Sequence, residues 1–420
     1  MNALPLERGG QRGASRAGSA IRAAHAAWAE LGQSNRLYRL AGTPALAALR
    51  VEAWALREAV SHPFELRLLC LSLDARIELK TLVGEHATVQ TVLADGSLHE
   101  RSGFLRRAEL LGAAGGLARY RLTLVPWLWL ATQQGRSQVF QQRSVADIIE
   151  QVLAPYADAG PWIFSPEVPA YLADAPERPY CTQYRESDYA FLSRLLAEEG
   201  LGWRVEQHAD APMGHRVVIF ADSARQGERQ VVRFHRRGAQ EQADAVQALV
   251  RRMRQSVAQV NLSVWDVDAK RRIEANAPAR WPVGGPRAAR IEWDEVLGLH
   301  DQARGLGDSA TLQRYAVLLM EAAECRADTL VGHATVRSLG CGTRLLIDDA
   351  PALGLKEGPD LFIDSVEHVG INNLPRESAQ AVEAALGGLE QHLLFDDACA
   401  SPDAEADTGG KPRTSSSAVP

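Results

Sequence analysis

The chain has 420 residues, with 52 acidic side chains against 46 basic ones and a formal net charge of −6. Hydrophobic residues at 46% and charged residues at 23% are ordinary for a globular chain with room for about two to four domains. The acidic balance argues against a bulk basic surface for nucleic acid, although all the bases except Lys80, Lys270, Lys356 and Lys411 are arginine.

In chain order, residues 1–34 are rich in Ala, Gly, Arg and Ser without sustained periodicity, and read as a disordered extension with some helix near Ala24–Leu31. From Leu37 to Thr132 the period is two. Phe64, Leu66, Leu68 and Cys70 alternate with polar residues, as do Ala87, Val89, Thr91 and Leu93. Asp95-Gly96 is a hairpin signal because both turn positions favour positive φ, and Gly115-Gly116 is a second turn. This predicts an antiparallel meander of four or five strands, curled or closed to manage its edges. Ser144 then caps a helical stripe of Val145, Ile148, Ile149, Val152, Leu153 and Tyr156, with Asp147 three residues on. A Pro-rich loop spans 161–179, and Ser187 or Asp188 opens a helix with Phe191, Leu192, Leu195 and Leu196 that stops at Gly200. Trp203–Glu206 and Val217–Phe220 read as a hairpin. Strands are predicted at Val231–His235, Val246–Met253 and Val257–Val267, then a poorly patterned stretch at 276–307. Leu312, Tyr315, Ala316, Leu319, Met320 and Ala323 mark an amphipathic helix. Strands at Leu330–Arg337, Arg344–Asp348 and Leu361–Val369, a weak helix at Glu377–Leu393 and a disordered tail from Asp396 complete the chain.

Little of this assembles into a reaction centre. Cys70, Cys181, Cys325, Cys341 and Cys399 are odd in number, widely spaced and without a C-x-x-C, against a disulfide framework or thiolate zinc site and in keeping with a reducing cytoplasm. The longest apolar run, Leu122–Ala131, is broken by Pro126 and is too short for a membrane span, and Arg22, His25 and Glu30 interrupt any secretory signal. Glu198-Glu199 reads as a solvated helix end, and His208 and His215 as two surface histidines without a third metal ligand. Gly112–Gly116 lacks a following lysine and reads as a turn, not a phosphate loop. No catalytic, cofactor or metal residues are assigned. Pro126, Trp127, Leu128 and Trp129 form an apolar aromatic cluster that reads as core or as a subunit interface, where tryptophan is enriched.

Several segments resemble one family, the VgrG (TssI) spike proteins of bacterial type VI secretion, related to the baseplate hub proteins of contractile phages. Ser61-His62-Pro63-Phe64-Glu65-Leu66 and Leu82-Val83-Gly84 are similar to the family's first strand start and its following step. The run from Gly116 through Ala118-Arg119-Tyr120-Arg121-Leu122 to Pro126-Trp127-Leu128-Trp129-Leu130 resembles a family block almost letter for letter. Phe140-Gln141 with Ser144–Ile149, Tyr180–Asp188, Val232–His235, Val336–Gly342, and Val366-Glu367-His368 with Asn372-Asn373-Leu374 are similar to further family segments in order. The resemblance runs over about residues 36–375.

It implies a β-rich α+β protein with two β-barrel-like hub units and an intervening α/β segment. The expected division is a disordered extension at 1–34, a first barrel-like unit at 35–135, the α/β segment at 136–225, a second barrel-like unit at 226–375, and a weak helix with a disordered tail at 376–420. Neither the strand set of the family's OB-fold nor the repeat of its β-prism needle is legible, so a truncated spike base is expected. The implied role is structural, not enzymatic: a homotrimer or VgrG heterotrimer that docks on the hexameric tube ring of Hcp and on baseplate proteins. Assembly is expected in the cytoplasm, with export through the type VI apparatus. The other readings are an adaptor recruiting an effector through the tail, a degenerate paralogue, or a peptidoglycan hydrolase.

Overall fold

The computed structural model describes residues 28, 35–227, 229–234, 244–266, 269–281, 292–297, 308–348, 360–393 and 395. Apart from Trp28, the expected N-terminal extension lies outside them, as does the expected tail from Asp396.

The alternating stretch forms six strands: β1 (Tyr38–Gly42), β2 (Arg50–Ala59), β3 (His62–Ser72), β4 (His86–Val92), β5 (Leu98–Ala114) and β6 (Leu117–Val125). They are antiparallel but not a meander. β4 pairs with β1 and β5, while β6 returns to pair with β3. The chain leaves the sheet between β3 and β4 because Leu82 in that crossing is fully buried in the same core as Leu66, Leu68 and Leu122. Gly115 and Gly116 both adopt positive φ (62° and 82°) in a two-residue turn that closes Ala114 on Leu117. At Asp95-Gly96 only Gly96 does so (85°), because Leu93 and Ser97 bond across a wider loop.

The middle of the chain carries β7 (Gly135–Arg143), α1 (Val145–Leu153), β8 (Trp162–Phe164), α2 (Val168–Leu172), β9 (Arg178–Ser187), α3 (Asp188–Glu198), β10 (Gly202–Gln207) and β11 (His215–Phe220). Ser144 and Asp147 form the reciprocal cap expected of α1. The buried faces of α1 and α3 share one core with Trp127, Tyr156 and Trp203. The Pro-rich stretch is not all loop. β8 pairs parallel with β11, and β9, which the sequence reading passed over, pairs with β7. Both strands owe their formation to partners distant in sequence.

The third part holds β12 (Arg229–Arg233), β13 (Val246–Met253), β14 (Gln259–Asp266), β15 (Arg271–Pro278), β16 (Glu292–Leu297), α4 (Ser309–Ala327), β17 (Asp328–Ala334), β18 (Arg344–Asp348), β19 (Asp360–Phe362) and β20 (Ser365–Ile371). Among the described residues it is three small sheets, β12-β18-β19, β13-β17 and β15-β14-β16. Leu312, Ala316 and Met320 of α4 pack on Val260, Leu262 and Val264 of β14. The strand expected at Leu361–Val369 is two strands in different sheets. β19 stays with β18, and β20 crosses back to pair with β2, giving a seven-stranded half-barrel of order β1-β4-β5-β6-β3-β2-β20. The expected last helix is broken at Gly387 (φ 82°) into α5 (Arg376–Leu386) and α6 (Glu390–Leu393). These cover the outer face of the half-barrel. Val382 packs on Leu71 and Leu117, and Leu393 on Ala53, Ala55 and Leu69. Phe395 lies 4.7 Å from the guanidinium carbons of both Arg57 and Arg67.

Candidate functional site

Among the described residues, three joints between parts of the fold are built from buried polar groups. The first joins the half-barrel to the loop at 335–343. Arg101 on β5 is buried and donates from Nη2 to the carbonyls of Arg337 (2.8 Å) and Leu339 (3.1 Å). Its guanidinium lies 5.4 Å from the Trp54 ring centre. Arg337 reaches back to the Val92 carbonyl at 2.8 Å. Glu58 at the end of β2 accepts from the Cys341 amide at 3.0 Å. Burial raises the Glu58 carboxyl above its ordinary range, and Arg101 pulls the other way. His368 on β20 donates from Nε2 to the Leu339 carbonyl at 2.9 Å. Burial and the nearby Arg101 push its imidazole down to about 4, so it is neutral at pH 7. Beside this joint Asn372 links the two edges of the sheet. Its Nδ2 donates to the carbonyls of Tyr38 (3.0 Å) and Val51 (2.8 Å), and Asn373 Oδ1 accepts from the Leu37 amide at 3.1 Å.

The second joint contains the aromatic cluster singled out in the sequence. Pro126, Trp127 and Leu128 are buried, and Trp129 is half-exposed. The fully buried Trp127 donates its amide to His215 Nε2 at 2.9 Å, and His215 Nδ1 donates to the Met213 carbonyl at 2.8 Å. His215 is therefore no surface histidine. It is fully buried, burial pushes it down to about 4, and both ring nitrogens are taken by backbone. Trp129 faces Phe104 and the Arg106 guanidinium at 5.9 and 5.5 Å. The buried Asp188 at the start of α3 accepts from the Tyr156 hydroxyl (2.7 Å) and Gln183 (2.9 Å), tying α3 to the rest of this core.

The third joint corrects the reading of Glu198-Glu199 as a solvated helix end. Arg178 on β9 donates to Glu198 (2.7 Å) and to Glu199 (2.6 Å) with its side chain almost wholly buried. Arg314 on α4 donates to Glu199 at 2.6 Å and stacks 5.1 Å over the Tyr171 ring. The two carboxylates raise the Arg178 guanidinium above its ordinary value despite burial. They serve as counter-ions in charge-assisted hydrogen bonds, and Glu199 joins the middle segment to α4. No local pattern marks Arg101, Arg178 or Arg314, which read as three ordinary members of an arginine-rich chain. Among the described residues no group of His, Cys, Asp and Glu is arranged to hold a metal, and no helix is long and apolar enough to cross a membrane.

A family model described as the phage tail baseplate hub (GPD) matches residues 57–374. The type VI secretion system spike protein VgrG1b of Pseudomonas aeruginosa is 34% identical over 171 residues, which are 41% of this chain and 22% of that protein. The matched stretch spans about a fifth of the length of such curated relatives. Among solved structures, the tail protein of Neisseria meningitidis superposes with a TM-score of 0.55 at 13% identity, over 80% of this chain and 94% of that one. An Escherichia coli protein described as a type VI secretion component similar to the T4 tail proteins gp27 and gp5 gives 0.53 at 18% identity, over 81% and 77%. At these identities the structural likeness concerns the fold.

Proposed function

The chain belongs to the phage tail baseplate hub family, and from that premise we propose that it is a structural hub segment of a type VI secretion spike, assembling as a trimer and seating on the Hcp tube ring. The observation that carries this is the family match over residues 57–374, which takes in the hydrogen-bonded and ion-paired residues of all three joints. A hub that must survive contraction of a sheath gains from rigid joints, and buried ion pairs and bonded amides fix geometry better than apolar contact alone. In this reading the segments 35–135 and 226–375 each supply one barrel-like element of a pseudo-sixfold ring, with 136–225 between them. Three copies then match a threefold needle to a sixfold tube. Pro126, Trp127 and Leu128 serve as core, and the half-exposed Trp129 with Arg106 supplies an element for a subunit contact. The role is assembly, not catalysis, in the cytoplasm and on export through the apparatus.

The test is sedimentation of the purified chain with and without Hcp rings. A trimer that co-sediments with Hcp is expected. A strict monomer at high micromolar concentration that leaves Hcp unbound overturns the proposal.

A further inference from the structure

Two strands of the third part are exposed on both faces. In β16 every residue from Glu292 to Val296 is exposed, with Trp293 at 55% and Val296 at 77%. In β13 the same holds from Val250 to Met253, with Val250 at 56% and Met253 at 59%. A strand in a half-buried sheet hides every second side chain; these segments hide none. Each is bonded along one side, β16 to β14 and β13 to β17. Among the described residues the other side carries only a bridge from Phe234 to Val246, at the far end of β13. Exposed edges bearing large apolar side chains are sites where another chain adds.

The two edges are complementary. β16 presents Trp293-Asp294-Glu295-Val296, and β13 presents Val250-Arg251-Arg252-Met253. Aligned antiparallel, Val296 faces Val250, Glu295 faces Arg251, Asp294 faces Arg252 and Trp293 faces Met253. Each charge then meets its opposite, and each apolar residue an apolar one. A slip of one residue sets Trp293 against an arginine in either direction. The four-residue pattern also matches in parallel. The antiparallel direction is favoured because it sets Glu292 opposite Arg254, where the parallel one sets Glu292 opposite Leu249. Within one chain the two strands lie in separate sheets.

We propose that β16 of one copy pairs antiparallel with β13 of a second copy, through the register that sets Asp294 against Arg252. The contact is head-to-tail, the kind that closes into a ring when repeated. It rests on the trimeric hub reading and names the surface that reading needs.

Arg251 already forms an ion pair with Asp328 in its own chain, so the test uses the other pair, in which Asp294 accepts one own-chain bond from Asn261 Nδ2 at 2.8 Å but has no ion pair among the described residues. Arg252→Glu and Asp294→Arg, separately and together, are compared with the unaltered full chain by sedimentation velocity, with circular dichroism to verify folding. Each single reversal is expected to weaken self-association by about tenfold or more, and the double reversal to restore most of it. In a second arm, Val250→Cys and Val296→Cys chains carrying different tags are mixed and oxidised. A mixed covalent dimer is expected, since facing strand positions lie within disulfide reach. An unaltered chain that self-associates while the single reversals change nothing and no mixed dimer forms overturns the strand pairing and leaves the hub reading standing. An unaltered chain that never self-associates, with no mixed dimer from the cysteine variants, overturns the strand pairing, and overturns the hub reading too when it also leaves Hcp unbound.

Discussion

Asn372 bridges β1 and β2 with one side-chain amide, a task no apolar residue could perform. Asn372→Ala leaves the carbonyls of Tyr38 and Val51 without their side-chain donor. The expected cost is about 2–3 kcal/mol, read as a lower urea midpoint with an unchanged slope. His215 carries a pH dependence. Its imidazole, near 6.5 in the unfolded chain, is pushed down to about 4 in the folded one. Between those values the unfolded chain binds a proton that the folded chain refuses, so stability falls as pH drops from about 6.5 to 4 and no further below that from this group. The loss from this group is about 3 kcal/mol, and His215→Gln makes that limb of a midpoint-against-pH curve shallower, while His99 and His368, also pushed down to about 4, contribute to the rest of it. At this scale the sequence was an uneven guide. Asn372 and Asn373 stood out through the family resemblance, whereas His215 looked like a surface histidine because burial depends on chain segments far from it.

At the scale of elements, α5 and α6 are held on the half-barrel by a buried residue of its outer face. Arg119 on β6, buried to 1%, makes a two-point ion pair with Glu52 at 2.8 Å and donates to the carbonyls of Leu386 (3.1 Å) and Gly387 (2.9 Å). Burial raises the Glu52 carboxyl, and its bonds to Arg119 oppose that. Arg119→Met strands a buried carboxylate and the last carbonyls of α5, at an expected cost of about 3–5 kcal/mol. Adding Glu52→Leu recovers most of the loss, which a double-mutant cycle by urea melting will show. The helices were legible where a local signal was complete. Ser144 with Asp147 and the apolar stripe of α1 need nothing from outside the segment. Strands β8, β9 and β20 were missed or misassigned, since each is made by a partner strand distant in sequence.

At the scale of the whole molecule, the three joints predict one cooperative unit, not three independent ones. Arg101, Trp127 and Arg314 each couple one part to another through buried groups, so near-ultraviolet and far-ultraviolet signals are expected to melt together. Separate transitions would show that the joints do not couple the parts. The sequence by itself determined the β-rich class, the main helices, the turns at Gly96 and Gly115-Gly116, and the family, because periodicity, caps and motifs are local. The tertiary structure alone decided the strand order, the return of β20 to the first sheet, and the conversion of Glu198-Glu199 from an apparent solvated end into counter-ions for Arg178 and Arg314. The physical reason is the same each time: burial and pairing belong to segments far apart in the chain, and no local pattern encodes which distant strand or charge will meet them.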